Sequence, residues 1–582
     1  MSVSTRAVRR ILSLFTASAL LAGLMVGTPS AVRAGAAEPS TQYVAIAGVT
    51  YVGAYAADCN STTFKADSIA DNEEVDSAVA AAAGGMVHFC AGDYFFTSAV
   101  NPGESELVGA GAASTSISGS EITRIFVTLG SVMLDGLTLR DGRSTGFGGG
   151  AILAYGEVTI NDAIFTDNFS DSGGGAIAAQ GAVTVTDSVF TNNSTTDRGG
   201  AIGSYGYVTV HSSRFTNNSS IADENCVGGG GAIAALDDVY VDEGSTFTGN
   251  TAILGESTNV LLCEDEEVYG GRGGAILTGE FALIYDSTFA SNSSTLGGGA
   301  IYALALADVI TKDLNGVIQE STFTRNTTTN DGDYFAFGGN AIYQGNYDLY
   351  ITDSSFSSNT GTGSAVMLDG RDVGGTAVVS GSAFSRNTGI YGGAIAAVYV
   401  SVTNSVFDQN RAEWAGGAIT AINVEIDRSR FTGNRSLRGG AVFYCGESVI
   451  SNSVFSRNVA ERAGVEGLGP DELTGLGGAV AGYGGMLTLI ANQFTGNQAS
   501  VAGGAVWLEG DAAESLVEMS KNRFTNNRAG RAGGAVGYNT LMVAGSVPSR
   551  GELRIAQRQN RFSGNRGGRT PLIGGIGVPF VV

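Results

Sequence analysis

The sequence predicts an all-β fold, a parallel β-helix in which short strands stack coil upon coil, and three observations predict it. Two motifs alternate along the chain. One is Gly-Gly-Ala-Ile, whose alanine falls at fourteen positions from Ala151 to Ala535. The other is Phe-x-x-Asn, whose phenylalanine falls at fourteen positions from Phe165 to Phe562. Successive copies lie as little as 23 to 25 residues apart, with alternating segments such as "VTVTDSVF" between them, which leaves no room for a helix in every unit. Glycine is abundant, 88 residues against 7 prolines, while 43% of the chain is apolar and 15% charged. That balance excludes collagen and a disordered chain alike. A unit this short buries its apolar face only by stacking on its neighbours.

The elements follow in order. Residues 1–36 read as an export signal: Arg6, Arg9 and Arg10 precede the apolar run Ile11 to Gly27, and Ala34-Gly35-Ala36 suits cleavage. Residues 37–100 form an N-terminal cap and first strand. There Glu73 and Glu74 open a helix with Val75, Ala78, Val79 and Ala82 at helical spacing, Gly84-Gly85 end it, and Met86 to Cys90 is a strand. Residues 101–146 are irregular first coils, 147–565 the repeats, and 566–582 a C-terminal cap or tail. Within each repeat the phenylalanines should stack as an internal seam and the asparagines as a hydrogen-bonded ladder, with Gly-Gly turning the corner. Two copies are degenerate, "GGNAI" at 338–342 and "GSAV" at 363–366, and should mark looser coils.

The alternation of "GGAI" with "F-x-x-N" from Gly148 to Asn565 resembles the repeats of chlamydial polymorphic outer membrane proteins. The resemblance implies a right-handed β-helix of about fourteen motif-bearing coils shown at the cell surface, with adhesion as the usual role. The segment "VDSAVAAAAGGMVHFCAGDYFF" is also similar to the entry of pectate-lyase-type β-helices. Relatives of the first family end in an outer-membrane barrel. Only 17 residues follow Asn565 here, so anchoring by that route is not expected.

Charge is divided. Residues 38–400 carry 41 acidic and 11 basic residues, and 401–582 carry 14 and 17. So acidic a chain argues against nucleic acid as a partner. No apolar run after the signal is long enough for a transmembrane helix. Five cysteines in an exported chain suggest pairing, Cys59 with Cys90 at the cap and Cys226 with Cys263 in two long loops. Cys445 is left over as a buried free thiol or an intermolecular partner. Around the second pair gather Asp223, Glu224, Glu264, Asp265, Glu266 and Glu267, a set that suits either calcium or plain solvation. No other cofactor is implied.

Catalytic groups are sparse. Asp237-Asp238 is the one Asp-Asp pair, His88 and His211 stand far apart, and His211 reads as a solvated substitution. Lys312 and Asp313 near Asp308 suit a lyase only by spacing, and an exposed loop accounts for them as well. Tyr302, Tyr343, Phe443 and Trp507 share one phase after the alanine, either a carbohydrate platform or core, and Trp414 sits in a short loop. The expected function is an exported, adhesin-like scaffold presenting loops to a glycan or protein partner, with no catalytic site. The alternatives are a polysaccharide lyase or hydrolase and a structural envelope component.

Overall fold

The computed structural model describes residues 43–46, 49–52, 72–222, 227–255, 270–304, 315–329, 338–345, 347–369, 375–462, 474–511, 516–541, 554–568 and 573–575. They pack as two units, one of residues 1–206, 218–229 and 254–270, the other of 207–217, 230–253 and 271–582. Both are built from one kind of coil, and the fold is a right-handed parallel β-helix. A coil of the first unit shows the plan: short strands at Ile177–Ala179, Val183–Thr186, Val189–Thr191 and Ser194–Thr195. Each pairs in parallel and in register with the preceding coil, so Ile152 lies beside Ile177, Val158 beside Val183 and Phe165 beside Phe190.

This register turns sequence repetition into columns. In the first unit the rings of Phe165 and Phe190 stack at 4.6 Å with 2° between their planes. In the second, an unbroken series from Phe215 to Phe562 stacks at 4.7 to 5.0 Å, never more than 13° from parallel. The spacing is that of the strands themselves. From Phe165 to Phe524 the motif rings are fully buried.

Beside them runs the asparagine ladder. Nδ2 of Asn387 donates to Asn410 Oδ1 at 2.9 Å and to the Phe356 carbonyl, while Asn410 Oδ1 also accepts the Asn387 amide. Each inner amide thus gives two hydrogen bonds and takes two, which satisfies a polar group held wholly out of water. The same set recurs from Asn250 to Asn565 in the second unit and from Asn168 to Asn218 in the first. A second ladder, not expected from the sequence, lies two residues before each motif phenylalanine from Phe190 onward. Backbone amides from Ser287 to Ser429 each donate to the serine hydroxyl of the next coil. At Ser453 the column changes to Asn492, Asn522 and Asn560, linked amide to amide.

The two glycines of the corner do different things. Gly174 is left-handed, at φ 59°, a region that costs an L side chain. A Cβ on Gly175 would lie 2.1 Å from the Gly200 carbonyl oxygen of the next coil. In the degenerate copies Asn340 and Ser364 fill that second place. There the last sheet of the coil breaks: the strand at Thr327–Thr328 is followed by a single bridge, Thr327 to Thr360, and pairing resumes at Thr388–Tyr391.

At the N-terminus the helix Asn72–Ala82 buries Val75 and Ala78. Asn72 is tied to Ser98 and Thr97, and Ala83 and Gly84, both left-handed, end the helix. An antiparallel hairpin, Tyr43–Ile46 with Val49–Val52, precedes it and was not anticipated. Its second strand pairs in parallel with Met86–Phe89.

Candidate functional site

The second strand of each coil alternates strictly, and in the second unit this builds a patterned outer face. Val239 and Val241, Ile284, Ile318, Leu349 and Ile351 point inward and are buried. Register then places Thr209, Tyr240, Leu283, Val317, Tyr350 and Val378 in one outward column. Beside it, Tyr285, Gln319, Thr352 and Ser380 follow one another, and His211 lies opposite Asp242. The Tyr240 and Tyr285 rings meet at 5.5 Å and 37°, and the His211 ring lies 5.9 Å from Tyr240.

His211 is not a solvated substitution: its Nδ1 lies 2.5 Å from Asp242 Oδ1. The strand spacing forces this pairing once Asp242 occupies the facing position. Hydrogen bonding to Asp242 pushes the Tyr240 phenol up. Asp242 thus holds the His211 ring directly. At the corner beyond, Glu243, Asp286, Glu320 and Asp353 are all left-handed and exposed, with Ser212 Oγ donating to Glu243 Oε2 at 3.1 Å. His211, Asp242 and Glu243 each bring a ligand atom within 4.8 Å of the others, as do Asp237, Asp238 and Glu280, and such sets are able to share a cation. Asp238 also accepts the Phe281 amide. The face thus offers flat rings flanked by acceptors.

The family model for the Chlamydia polymorphic membrane protein repeat matches residues 162–180, 187–205 and 286–304. Over these three stretches the chain is similar to that repeat. Each matched stretch of the repeat begins at the corner residue three places before the phenylalanine and ends four places after the alanine. Three solved structures overlap it loosely, each at 11% identity. The catalytic unit of a GH87 alpha-1,3-glucanase from Streptomyces thermodiastaticus covers 86% of this chain and 67% of its own, at TM-score 0.23. The Azotobacter vinelandii mannuronan C-5 epimerase A-modules AlgE6 and AlgE4 cover 88% and 87% of this chain and 96% and 93% of their own, at 0.18 and 0.17. No curated protein matches the sequence. No helix among the described residues is long and apolar enough to cross a membrane.

Within the repeat, the phase after the alanine settles the place of the other aromatics. Ile301 and Ile342 point into the coil, so Tyr302 and Tyr343 lie on its outer side, yet both are buried. They stack at 4.3 Å, with Arg272 over Tyr302 and Asp369 accepting from the Tyr343 hydroxyl at 2.9 Å. Burial pushes the Tyr343 phenol up. These two rings form a covered outer layer of packing and no open platform. Trp507 is likewise covered, among Leu476, Ala481, Val501 and Ala502, with Phe443 against the cluster. Burial pushes up the Glu509 carboxyl beside it, with Arg438 and Trp507 working the other way. Among the described residues Trp507 Nε1 finds no acceptor in hydrogen-bond geometry.

Trp414 is exposed, on the strand Arg411–Ala415. Cys445 is free and exposed, which rules out the buried alternative of the two offered for it. Cys90 is buried. Cys59, Cys226 and Cys263 lie outside the described residues, as do Asp223, Glu224, Glu264, Asp265, Glu266, Glu267, Asp308, Lys312, Asp313 and residues 1–36. The sequence alone does not single out Tyr240, Asp242 and Tyr285. Their only sequence signal is shared phase within "VYVD", "ALIY" and "VTVH".

Proposed function

We propose that this chain is an exported, surface-displayed binding scaffold of adhesin type. Its outer column from Tyr240 to Tyr350 receives a neutral, hydroxyl-rich glycan. One observation carries the reading: Tyr240 and Tyr285 meet ring to ring on the outer face, beside a carboxylate that already holds His211. Tyrosine offers an apolar ring face and a polar edge together, which suits a sugar ring with hydroxyls at its rim. The acidic corner of Glu243, Asp286, Glu320 and Asp353 supplies acceptors and repels anionic chains. Surface display is supported by the kind of repeat and by the basic-then-apolar N-terminus.

The test is titration of the full chain with neutral glucan, mannan and galactan oligosaccharides. Binding should weaken about five- to tenfold in Tyr240→Ala, the worth of one aromatic contact. Absence of binding to every oligosaccharide, or affinity unchanged from the parent in both Tyr240→Ala and Tyr350→Ala, overturns it. Release of reducing or unsaturated ends during the titration would replace it with a hydrolase or lyase.

A further inference from the structure

The last coils of the second unit carry a surface of opposite sign. Two positions flank the left-handed turn after each motif phenylalanine: the residue just before it and the residue just after the ladder asparagine. Coil by coil these two positions hold the same residue type. They are Arg430 and Arg435, Val454 and Val459, Gln493 and Gln498, Arg523 and Arg528, then Arg561 and Arg566. Register stacks each set into a column, with Arg523 directly beside Arg561 and Arg528 beside Arg566. The turn between the columns is left-handed in both coils, at Asn526 and Gly564.

Like charges in facing positions one strand spacing apart repel. Elsewhere in this unit the chain relieves such charge. Arg435 pairs with Glu461 at 2.9 Å, and Arg428 with Asp427 at 2.7 Å. Among the described residues no ion pair or side-chain hydrogen bond engages Arg523, Arg528, Arg561 or Arg566, and all four are exposed. Four arginines whose backbone positions are stacked in register therefore face solvent without relief. A partner bearing regularly spaced sulfate or carboxylate groups would supply it, because each guanidinium fork takes an oxyanion through two parallel hydrogen bonds. Neither column carries an aromatic residue, so the surface lacks the stacking platform that single-stranded nucleic acid uses.

We propose that the stacked pairs Arg523–Arg561 and Arg528–Arg566 form a binding corner for an acidic glycan chain that runs along the coils. This site is separate from the tyrosine face and does not depend on it. The probes are a heparin hexasaccharide for sulfate, an oligogalacturonate for carboxylate and a dextran oligosaccharide as neutral control, each titrated into the full chain at several salt concentrations. At least one acidic probe should bind and dextran should not compete for this corner. The variant R523Q/R528Q/R561Q/R566Q should lose at least about tenfold in affinity, and its log–log salt slope should fall by roughly one per arginine removed. R523K/R561K should lose part of the affinity while keeping the salt slope, because lysine keeps the charge and loses the fork, and Arg386→Gln should keep all of it. The circular dichroism and melting temperature of the quadruple variant should match the parent, which separates lost binding from lost fold. Equal binding by the quadruple variant, or no binding of either acidic probe by the parent, overturns the proposal. So does salt-sensitive self-association that disappears in the quadruple variant without any acidic-glycan affinity. That result would assign the corner to the acidic column of a second copy.

Discussion

The coils from Phe247 to Phe384 and those from Phe494 to Phe562 present the same interior. In both, phenylalanine rings stack at 4.7 to 5.0 Å and asparagine amides link coil to coil. Their outer faces have little in common. The first set shows Tyr240, Tyr285 and Tyr350 beside an acidic corner, the second a bare arginine corner. Buried columns are bound by packing and by hydrogen-bond satisfaction, so they repeat. Outward columns answer only to water and to partners, so they diverge. The lesson is a division of labour within each strand, decided residue by residue by which way the side chain faces.

The largest effects should test whether the interiors are equivalent. Asn326→Ala and Asn497→Ala each leave buried donors and acceptors unpaired, and each should cost about 4 kcal/mol. Hydrogen exchange of the flanking strands reads this locally, as suits a stacked array. A gap between the two variants of more than about 2 kcal/mol, beyond the usual spread for lost buried hydrogen bonds, would break the claim of equivalence.

The second ladder should separate the regions more gently. Ser321 gives one hydroxyl link, accepting from Ser287 and donating to the Gln319 carbonyl. Asn522 links the coils on both sides through its amide. Ser321→Ala should therefore cost about 1 kcal/mol and Asn522→Ala two to three times as much, by the same exchange measurement. Equal losses would mean that the change from serine to asparagine at residue 492 has no mechanical content.

The smallest effects concern pH, and two carboxyls of the second unit should move oppositely. Burial holds the Glu509 carboxyl above its ordinary value, so its ionisation disfavours the folded state once pH passes the unfolded carboxylate range. Glu509→Gln should raise the melting temperature slightly at pH 7 and leave it unchanged in acid. Hydrogen bonds from Ser451 and Asn452 hold Asp427 below its ordinary value. Its contribution is present above the unfolded pKa and is lost as pH falls through the folded one. Asp427→Asn should thus lower the melting temperature slightly at pH 7 and not in acid. A matching sign in the two variants would sink one of the two assignments, the one whose sign is reversed.

The interior was legible because identical residues recur at the coil period, and stacking at strand spacing needs nothing more. The serine column was equally periodic, from Ser188 to Ser453, but serine reads as surface and its burial shows only in coordinates. The outer sites were hidden for a different reason. His211 and Asp242 are 31 residues apart and Tyr240 and Tyr285 are 45, because loop insertions of unequal length separate coils that touch. Without the register, the phase of these side chains has no meaning. Tyr302 and Tyr343 show the converse: their phase was visible, but the layer covering the outer side of the coil was not.

Every inner amide of the asparagine ladder faces the same way, giving one proton to the asparagine of the C-terminal neighbour and the other to the phenylalanine carbonyl of the N-terminal one. One period is therefore interchangeable with another at both of its joints. Excising Phe407 to Arg430 would bring the coil of Phe384 onto that of Phe431, with like donors meeting like acceptors. Gene duplication or loss in steps of one repeat would then lengthen or shorten the molecule without a new core being invented, and each added step would bring a fresh strip of exterior for selection to write on.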